Sequence, residues 1–340
     1  MVTIMLLVII LLVDWGGKHS KSQALQIHGR TMGTSYTVKL LNLPNDWEAV
    51  KTRQAIAKIL DQLHTQMSTY NPNSEISKFN TSQSTDWFPV SKDMCAIVAE
   101  SLRISKLTDG AFDITVGPLV NLWGFGAKDT HNEPPSKTTI EAAMRQIGYQ
   151  YLQARCDGHK PIALRKTKPN IQISLAAIAQ GYGADRVADY LDRLGVQDYL
   201  VDVGGELRGH GVNAYGKSWR IGIQRPIPGS YGEAERIVHI KDCALATSGT
   251  YRNFFTKDSK NYSHTIDPKT GMPVTHNLVS VTIMTSSAAV ADALATALSV
   301  LGPKPGYNLA IQQEWAVIFM VQDAGKLRIR VTPKASQYLN

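Results

Sequence analysis

Apolar residues recur along this chain at two spacings. From Trp47 to Thr65 they return every three or four positions, with Ile56, Leu60 and Leu63 on one stripe, and this period predicts an amphipathic helix. The same period predicts helices over residues 91–107, over Thr139–Ile147, and beyond Gly183, where Val187, Leu191 and Leu194 share the inward face. Alternation predicts strands elsewhere. QIHGRTMGTSYTVKLL, residues 26–41, reads as two strand pieces broken at Gly29 and Gly33, with Tyr36 and Val38 alternating against Thr37 and Lys39. YLVDVGGELRGHG reads as strand, Gly204-Gly205 and strand, and SWRIGIQRP alternates to a strand end near Arg225, which can face a phosphate. WAVIFMV and KLRIRV predict two further strands that close a sheet.

Turn-forming residues punctuate these elements. Asn71-Pro72-Asn73 predicts a turn with Ser74 as the N-cap of a short helix, and Asp267-Pro268-Lys269-Thr270-Gly271 predicts another just after His264. Thr247-Ser248-Gly249-Thr250 offers hydroxyls and amides at a turn. ISLAAIAQGYG predicts a short strand and a tight loop at Gly181 and Gly183, whose backbone near Ala177–Gln180 can meet a cation or a phosphate. TDGAFDITVGPLVNLWGFG is dense in glycine and carries Phe112, Trp123 and Phe125, which suits either a ligand face or a core cluster beneath a loop. AKDTHNEPPSK reads as an exposed loop.

Candidate chemistry concentrates in Thr282–Gly302, TIMTSSAAVADALATALSVLG, an apolar helix pattern with a start signal at Thr285-Ser286-Ser287 and a single carboxylate, Asp292. Thr296 lies four residues on, about one turn away on the same face. Carboxylate and hydroxyl can therefore converge on a hard cation such as Mg2+; an early-helix Asp turned to water satisfies the same pattern. His264, read as lying in a strand between Ser263 and Thr265, is of a kind more often structural than catalytic when it stands alone.

Composition narrows the function classes only in part. The 340 residues are 43% apolar and 19% charged, enough to bury a substantial core. A net charge of +8 favours acidic partners, but Lys and Arg are spread through the chain and no zinc-finger spacing occurs, which argues against a nucleic-acid module. No G-x-G-x-x-G follows a predicted strand, so a Rossmann site is not expected. Cys95, Cys156 and Cys243 lie far apart, form no CxxC motif, leave at least one thiol unpaired and read as ordinary part-buried thiols. The opening run MVTIMLLVIILLV has the length of a secretory apolar region, and Ser22-Gln23-Ala24 supplies small residues for cleavage. Residues 1–24 are thus expected to be a signal peptide or, since no Lys or Arg precedes the run, an uncleaved membrane anchor; no cysteine follows for lipidation. Residues 25–340 are expected to form one domain.

Taken in order, TMGTSYTV, STYNPNSEIS, TDGAFDITVGPLVNLWGFG, LAAIAQGYGADRVADYL, VDVGGEL, ATSGTYRNFF, YSHTIDPKTGMPV and ADALATAL resemble the FAD:protein FMN transferases, the ApbE family, from Thr31 to Leu301. The resemblance implies an α+β fold of mixed sheets with packed helices, in exported, periplasmic bacterial proteins often tethered to the inner membrane. It implies FAD as substrate, Mg2+ as cofactor, and transfer of the FMN half to a Thr or Ser hydroxyl of a target flavoprotein with release of AMP. The acceptors it implies are flavin-carrying subunits of membrane redox pumps. A Mg2+-dependent FAD pyrophosphatase giving FMN and AMP, and an FAD-binding protein without transfer, are the alternatives.

Residue by residue, the resemblance places Met32 and Tyr70 at the flavin nucleotide, Ala111, Phe112 and Asp113 in an FAD-binding segment, and Ser174, Gln180 and Leu245 at further nucleotide positions. Asp292 and Thr296 match metal ligands, with the Ala177 backbone carbonyl as a third. His264 becomes a site residue, and Asp292 and His264 are the two candidates for the base. Two positions depart from the family: Ser174 stands where Asp is frequent, and Gln180 where Lys or Glu is common, so a nucleotide acceptor group is shorter or lost there.

Overall fold

The computed structural model describes residues 24–126, 132–158, 160–226, 232–250, 253–258 and 260–339. The predicted signal or anchor segment falls almost wholly outside them, as do five residues of the predicted polar loop, 127–131. Among the described residues, no helix is long and apolar enough to cross a membrane.

One antiparallel sheet organises the molecule, and its eight strands lie side by side in chain order. They are β1 (Leu25–Thr31), β2 (Thr34–Leu41), β3 (Asp198–Val203), β4 (Glu206–His210), β5 (Cys243–Gly249), β6 (Leu278–Thr285), β7 (Ala316–Asp323) and β8 (Lys326–Val331). Met32 and Gly33 turn β1 into β2 with φ of 47° and 76°, the positive-φ pair that a two-residue hairpin needs. Gly29 does not break β1 as expected. It pairs with Tyr36, and a Cβ there would stand 2.4 Å from the Tyr36 ring, so this glycine makes room for its cross-strand partner.

The excursions between strands carry the helices: α1 (Ala49–Met67), α2 (Glu75–Thr81), α3 (Lys92–Leu107), α4 (Gly117–Leu122), α5 (Lys137–Met144) and α6 (Ala179–Arg193) between β2 and β3, then α7 (Ala288–Leu301) and α8 (Pro305–Gln312) between β6 and β7. Serine side chains accept from the third residue on at four starts, Ser74, Ser91, Ser136 and Ser287, each worth roughly 1 kcal/mol. Alternation along β6 and β7 divides the core. Val281, Ile283, Val317 and Phe319 face the helices, whereas Met284, Ile318 and Met320 meet the hairpin of Trp219–Gln224 and Ala234–Ile240 on the other side. These layers make the α+β class expected from the sequence.

Several boundaries move, each for a local reason. Thr282–Thr285 continues β6, and α7 begins only after the Ser287 cap. Thr247–Gly249 lies in β5, where the Thr247 and Thr282 hydroxyls meet at 2.8 Å across the pairing, rather than in a turn. Residues 171–175 form no strand; the Asn80 side chain accepts from Ile173 N at 2.8 Å and donates to Ile173 O at 2.9 Å, standing in for a strand neighbour. Gly181 and Gly183 are helical, not a loop. Leu194, expected inward, is 38% exposed because α6 stops at Arg193. The expectation of ordinary thiols holds for Cys243 only: Cys95 of α3 is disulfide-bonded to Cys156, bringing together positions 61 residues apart. Arg225 is engaged by the carboxylates of Glu235, at 2.7 Å, and Glu233.

Candidate active site

A cavity of about 580 Å³ opens where the excursions return to the sheet. Its wall is drawn from the loop into α4, the segment before α6, the β3–β4 turn, strand β5, the stretch around His264, and one face of α7.

The polar end is built by α6 and α7 packed closely together. Asp185 of α6 accepts from Ser287 Oγ at 2.7 Å, Ala288 N at 2.8 Å and Ala289 N at 3.0 Å, which satisfies the start of α7. In return Asp292 of α7 receives the Gly181 N–H near the start of α6, at a long 3.4 Å. Small residues permit this approach: a Cβ on Gly181 would stand 2.3 Å from the Ala288 carbonyl oxygen. Asp292 therefore enters the cavity with one weak hydrogen bond, and burial pushes its carboxyl up to about 7, the Gly181 N–H opposing. Thr296 and Ala177 line the same cavity. Among the described residues, no backbone N–H donates to the Ala177 carbonyl. A carboxylate, a hydroxyl and an undonated carbonyl are the all-oxygen donors that suit a hard divalent cation, so these residues fit Mg2+.

At the other end, His264 follows the hairpin of Phe254–Lys257 and Lys260–Ser263 rather than lying in a strand. Its Nδ1 is 3.0 Å from the Asn253 carbonyl oxygen, which can only accept. Nδ1 therefore carries the proton, and Nε2 keeps its lone pair. Burial lowers the His264 pKa, with the Asn253 contact opposing, so the ring is neutral near pH 7. Phe125 meets it edge-on, with ring centroids 6.3 Å apart.

Ten of the twelve residues singled out from the sequence line this cavity: Ala111, Phe112, Asp113, Ser174, Ala177, Gln180, Leu245, His264, Asp292 and Thr296. Met32 and Tyr70 are not on its wall; Met32 sits in the β1–β2 turn, and Tyr70 is 72% exposed beside the Asn71-Pro72 turn. Asp113 is already engaged. Its Oδ1 accepts from Thr115 N and Oγ1, and Oδ2 from Tyr149 N at 3.0 Å, so it shapes the loop on which Ala111 and Phe112 stand. Sequence reasoning passed over Glu206, which follows the Gly204-Gly205 turn and lines the cavity while buried. Burial holds its carboxyl well above the usual range, with the negative charges of Asp292 and Asp202 adding to the effect. A carboxylate placed directly after a Gly-Gly turn, at the head of a strand, was the signal available.

Comparison with known proteins places the chain in a family. The sequence model of the ApbE family matches residues 32–319. The FAD:protein FMN transferase of Vibrio cholerae is 38% identical over 306 residues, 90% of each chain, and that of Escherichia coli K12 is 37% identical over 325 residues, 95% of this chain and 91% of its own. Solved structures of flavin transferase ApbE from V. cholerae and of flavinyl transferase ApbE from Pseudomonas stutzeri, in its apo form, each superpose with a TM-score of 0.85 at 36% identity. They cover 94% and 96% of this chain and 100% and 99% of their own. Sequence, fold and extent coincide along almost the whole length, and the chain belongs to the ApbE family.

Proposed function

We propose that this protein transfers the FMN half of FAD to a Thr or Ser hydroxyl of an acceptor flavoprotein, forming a phosphoester and releasing AMP, with Mg2+ as cofactor. One observation carries the reading: a single cavity joins the Asp292, Thr296 and Ala177 oxygens to a histidine whose free nitrogen is an acceptor. The acceptor oxygen bonds to the FMN-side phosphorus as the pyrophosphate bridge breaks, and the bridging electron pair leaves with AMP. Asp292, Thr296 and the Ala177 carbonyl hold the cation, which when bound supplies Lewis-acid neutralisation of the pyrophosphate oxygens. His264 Nε2 takes the hydroxyl proton while Nδ1–H keeps its bond to Asn253. Asp292 is the poorer base of the two, because a carboxylate committed to a cation has little proton affinity left. Phe112 and Phe125 offer apolar faces to the flavin nucleotide.

We place the protein outside the cytoplasm, in the periplasm, as an exported protein either free or tethered by its N-terminus. The apolar opening run supports this, and so does the Cys95–Cys156 disulfide, of a kind that persists in oxidising compartments. Flavin-carrying subunits of membrane redox pumps are the acceptors this location makes available.

Mass spectrometry of a candidate acceptor after incubation with the protein, FAD and Mg2+ tests the reading. An FMN adduct on an acceptor hydroxyl, lost with Asp292→Ala, is expected. Free FMN and AMP without adduct would instead establish a pyrophosphatase, and intact bound FAD a binder.

A further inference from the structure

Glu206 is 8% exposed, lines the same cavity as Asp292 and Thr296, and has an Oε2 with no hydrogen-bond partner. Buried carboxylate oxygens are ordinarily satisfied by N–H donors or by a cation. Here the charges that act on Glu206 are both negative: Asp292 on α7, which packs on β4, and Asp202 on the neighbouring β3. Asp202 has partners of its own, accepting from Gly205 N at 2.9 Å and attracted by Lys39. Glu206 has neither. A buried carboxylate with one unpartnered oxygen, lining the same cavity as a second under-satisfied carboxylate, makes a charge distribution that a divalent cation offsets and a water molecule does not.

We infer that Glu206 is a further carboxylate of the cation site and that, with Asp292, it holds a divalent cation on the protein before any nucleotide arrives. The inference rests on the proposed placing of the cation at Asp292. Two carboxylates supply the charge that balances a divalent ion, so the pyrophosphate of FAD is not needed to retain it. The nucleotide then meets carboxylates whose charge is already neutralised, which suits a substrate whose reacting part is anionic.

The test is a titration of the full-length, FAD-free protein with Mn2+, followed by the electron paramagnetic resonance of the unbound ion, for wild type, Glu206→Gln and Asp292→Ala. Wild type is expected to bind one Mn2+, and Glu206→Gln to bind it at least about tenfold more weakly, the usual cost of losing a group that supports a metal. Melting temperatures guard against a merely structural role. Without metal, Glu206→Gln is expected to melt at or above wild type, since an uncompensated charge has been removed, and Mg2+ is expected to raise wild type more than the variant. Wild-type affinity in Glu206→Gln, or no Mn2+ binding by wild type without FAD, overturns the inference and leaves the transferase reading standing. Undiminished Mn2+ binding by Asp292→Ala overturns both the inference and the placing of the cation.

Discussion

Gly181 of α6 faces the carbonyl oxygen of Ala288 in the first turn of α7, at a distance that leaves no room for a side chain: a Cβ would stand 2.3 Å from that oxygen. The obstacle is backbone at a helix start, which cannot rotate away. Gly181→Ala must push the two helices apart and carry Asp292 with them. The expected cost is about 1–3 kcal/mol of stability, as for other overpacked sites, together with weaker Mg2+ binding. Gly183→Ala is the control. Its nearest neighbour is Leu60 Cδ2 at 3.2 Å, the end of a flexible side chain, and the gain in helix propensity offsets the contact. Thermal melts of the two variants should separate clearly, and equal melting temperatures would show that the close approach does not matter.

Asp185 gives the reciprocal prediction. Its carboxylate serves Ser287 Oγ, Ala288 N and Ala289 N, and Asp185→Ala leaves these donors at a part-buried helix start. A loss of about 1–3 kcal/mol is expected, of the size seen when a cap or a buried partner is removed. Asp185→Asn, which can still accept through one oxygen, should recover part of it in the same denaturant titration.

How these helices meet was not legible in the sequence, and the reason is instructive. Gly181 and Gly183 carry the composition of a turn, and only the arrival of α7, more than a hundred residues later, turns Gly181 into a helix–helix contact. Local residues did mark the break at Gly33, though not its confinement to that one glycine, as well as the Ser74 cap and the turn at Asp267–Gly271, where Gly271 N donates to Asp267 O at 2.8 Å. At the site, a period of four put Asp292 and Thr296 on one face, but nothing local tied either to His264 or Ala177. The resemblance joined them, and the fold brings them to one cavity. Glu206 stayed hidden because a carboxylate beside a Gly-Gly turn is usually solvated. The Cys95–Cys156 pairing joins α3 to the end of a short strand in another sheet, which no spacing rule foretells.

The histidine makes a prediction about pH. Burial lowers the His264 pKa below its ordinary 6.5, with the Asn253 carbonyl opposing. A group whose folded pKa is depressed gives stability that is present above the unfolded value and is lost as pH falls through the folded one. The same protonation removes the free Nε2 lone pair. With Mg2+ saturating, so that Asp292, pushed up to about 7 without a cation, stays ionised, transfer to an acceptor should hold steady from neutral pH down to below 6.5 and only then fall, and His264→Gln should be slow and flat across that window. An acidic limb above 6.5 in wild type would count against a neutral His264 as the base.

The disulfide makes a prediction about thiols. The sequence has three cysteines, one of them, Cys243, free and buried. Alkylation of the denatured protein should label one cysteine before reduction and three after it. Closing a loop of this length favours the folded state by about 2–4 kcal/mol, so Cys95→Ser with Cys156→Ser should lower stability by that order. Activity at temperatures well below the melt should persist, since neither cysteine lines the cavity.

Asn80 lies off the cavity wall and acts on the site only through the backbone it holds. Its side-chain amide makes two bonds to the Ile173 backbone, and Ser174 N donates to Ile114 O at 2.7 Å, so the chain leading to Ala177 is held at two successive residues from two sides. Lys166 adds to the hold, donating from Nζ to the carbonyls of Asn80 and Ile171 at 3.2 and 3.1 Å. A carbonyl that is to serve as a metal ligand has no rotamer of its own; its direction is set by the backbone on either side. Asn80→Ala removes both bonds to Ile173 and should cost about 1–3 kcal/mol of stability. Beyond that, it should weaken Mg2+ binding more than it weakens FAD binding measured without metal. Asn80→Asp keeps an acceptor for Ile173 N and should fall between the two. Calorimetric titrations of metal and of nucleotide, done separately, distinguish this from general loosening: equal losses in both would mean that Asn80 supports the fold and not the aim of the Ala177 carbonyl.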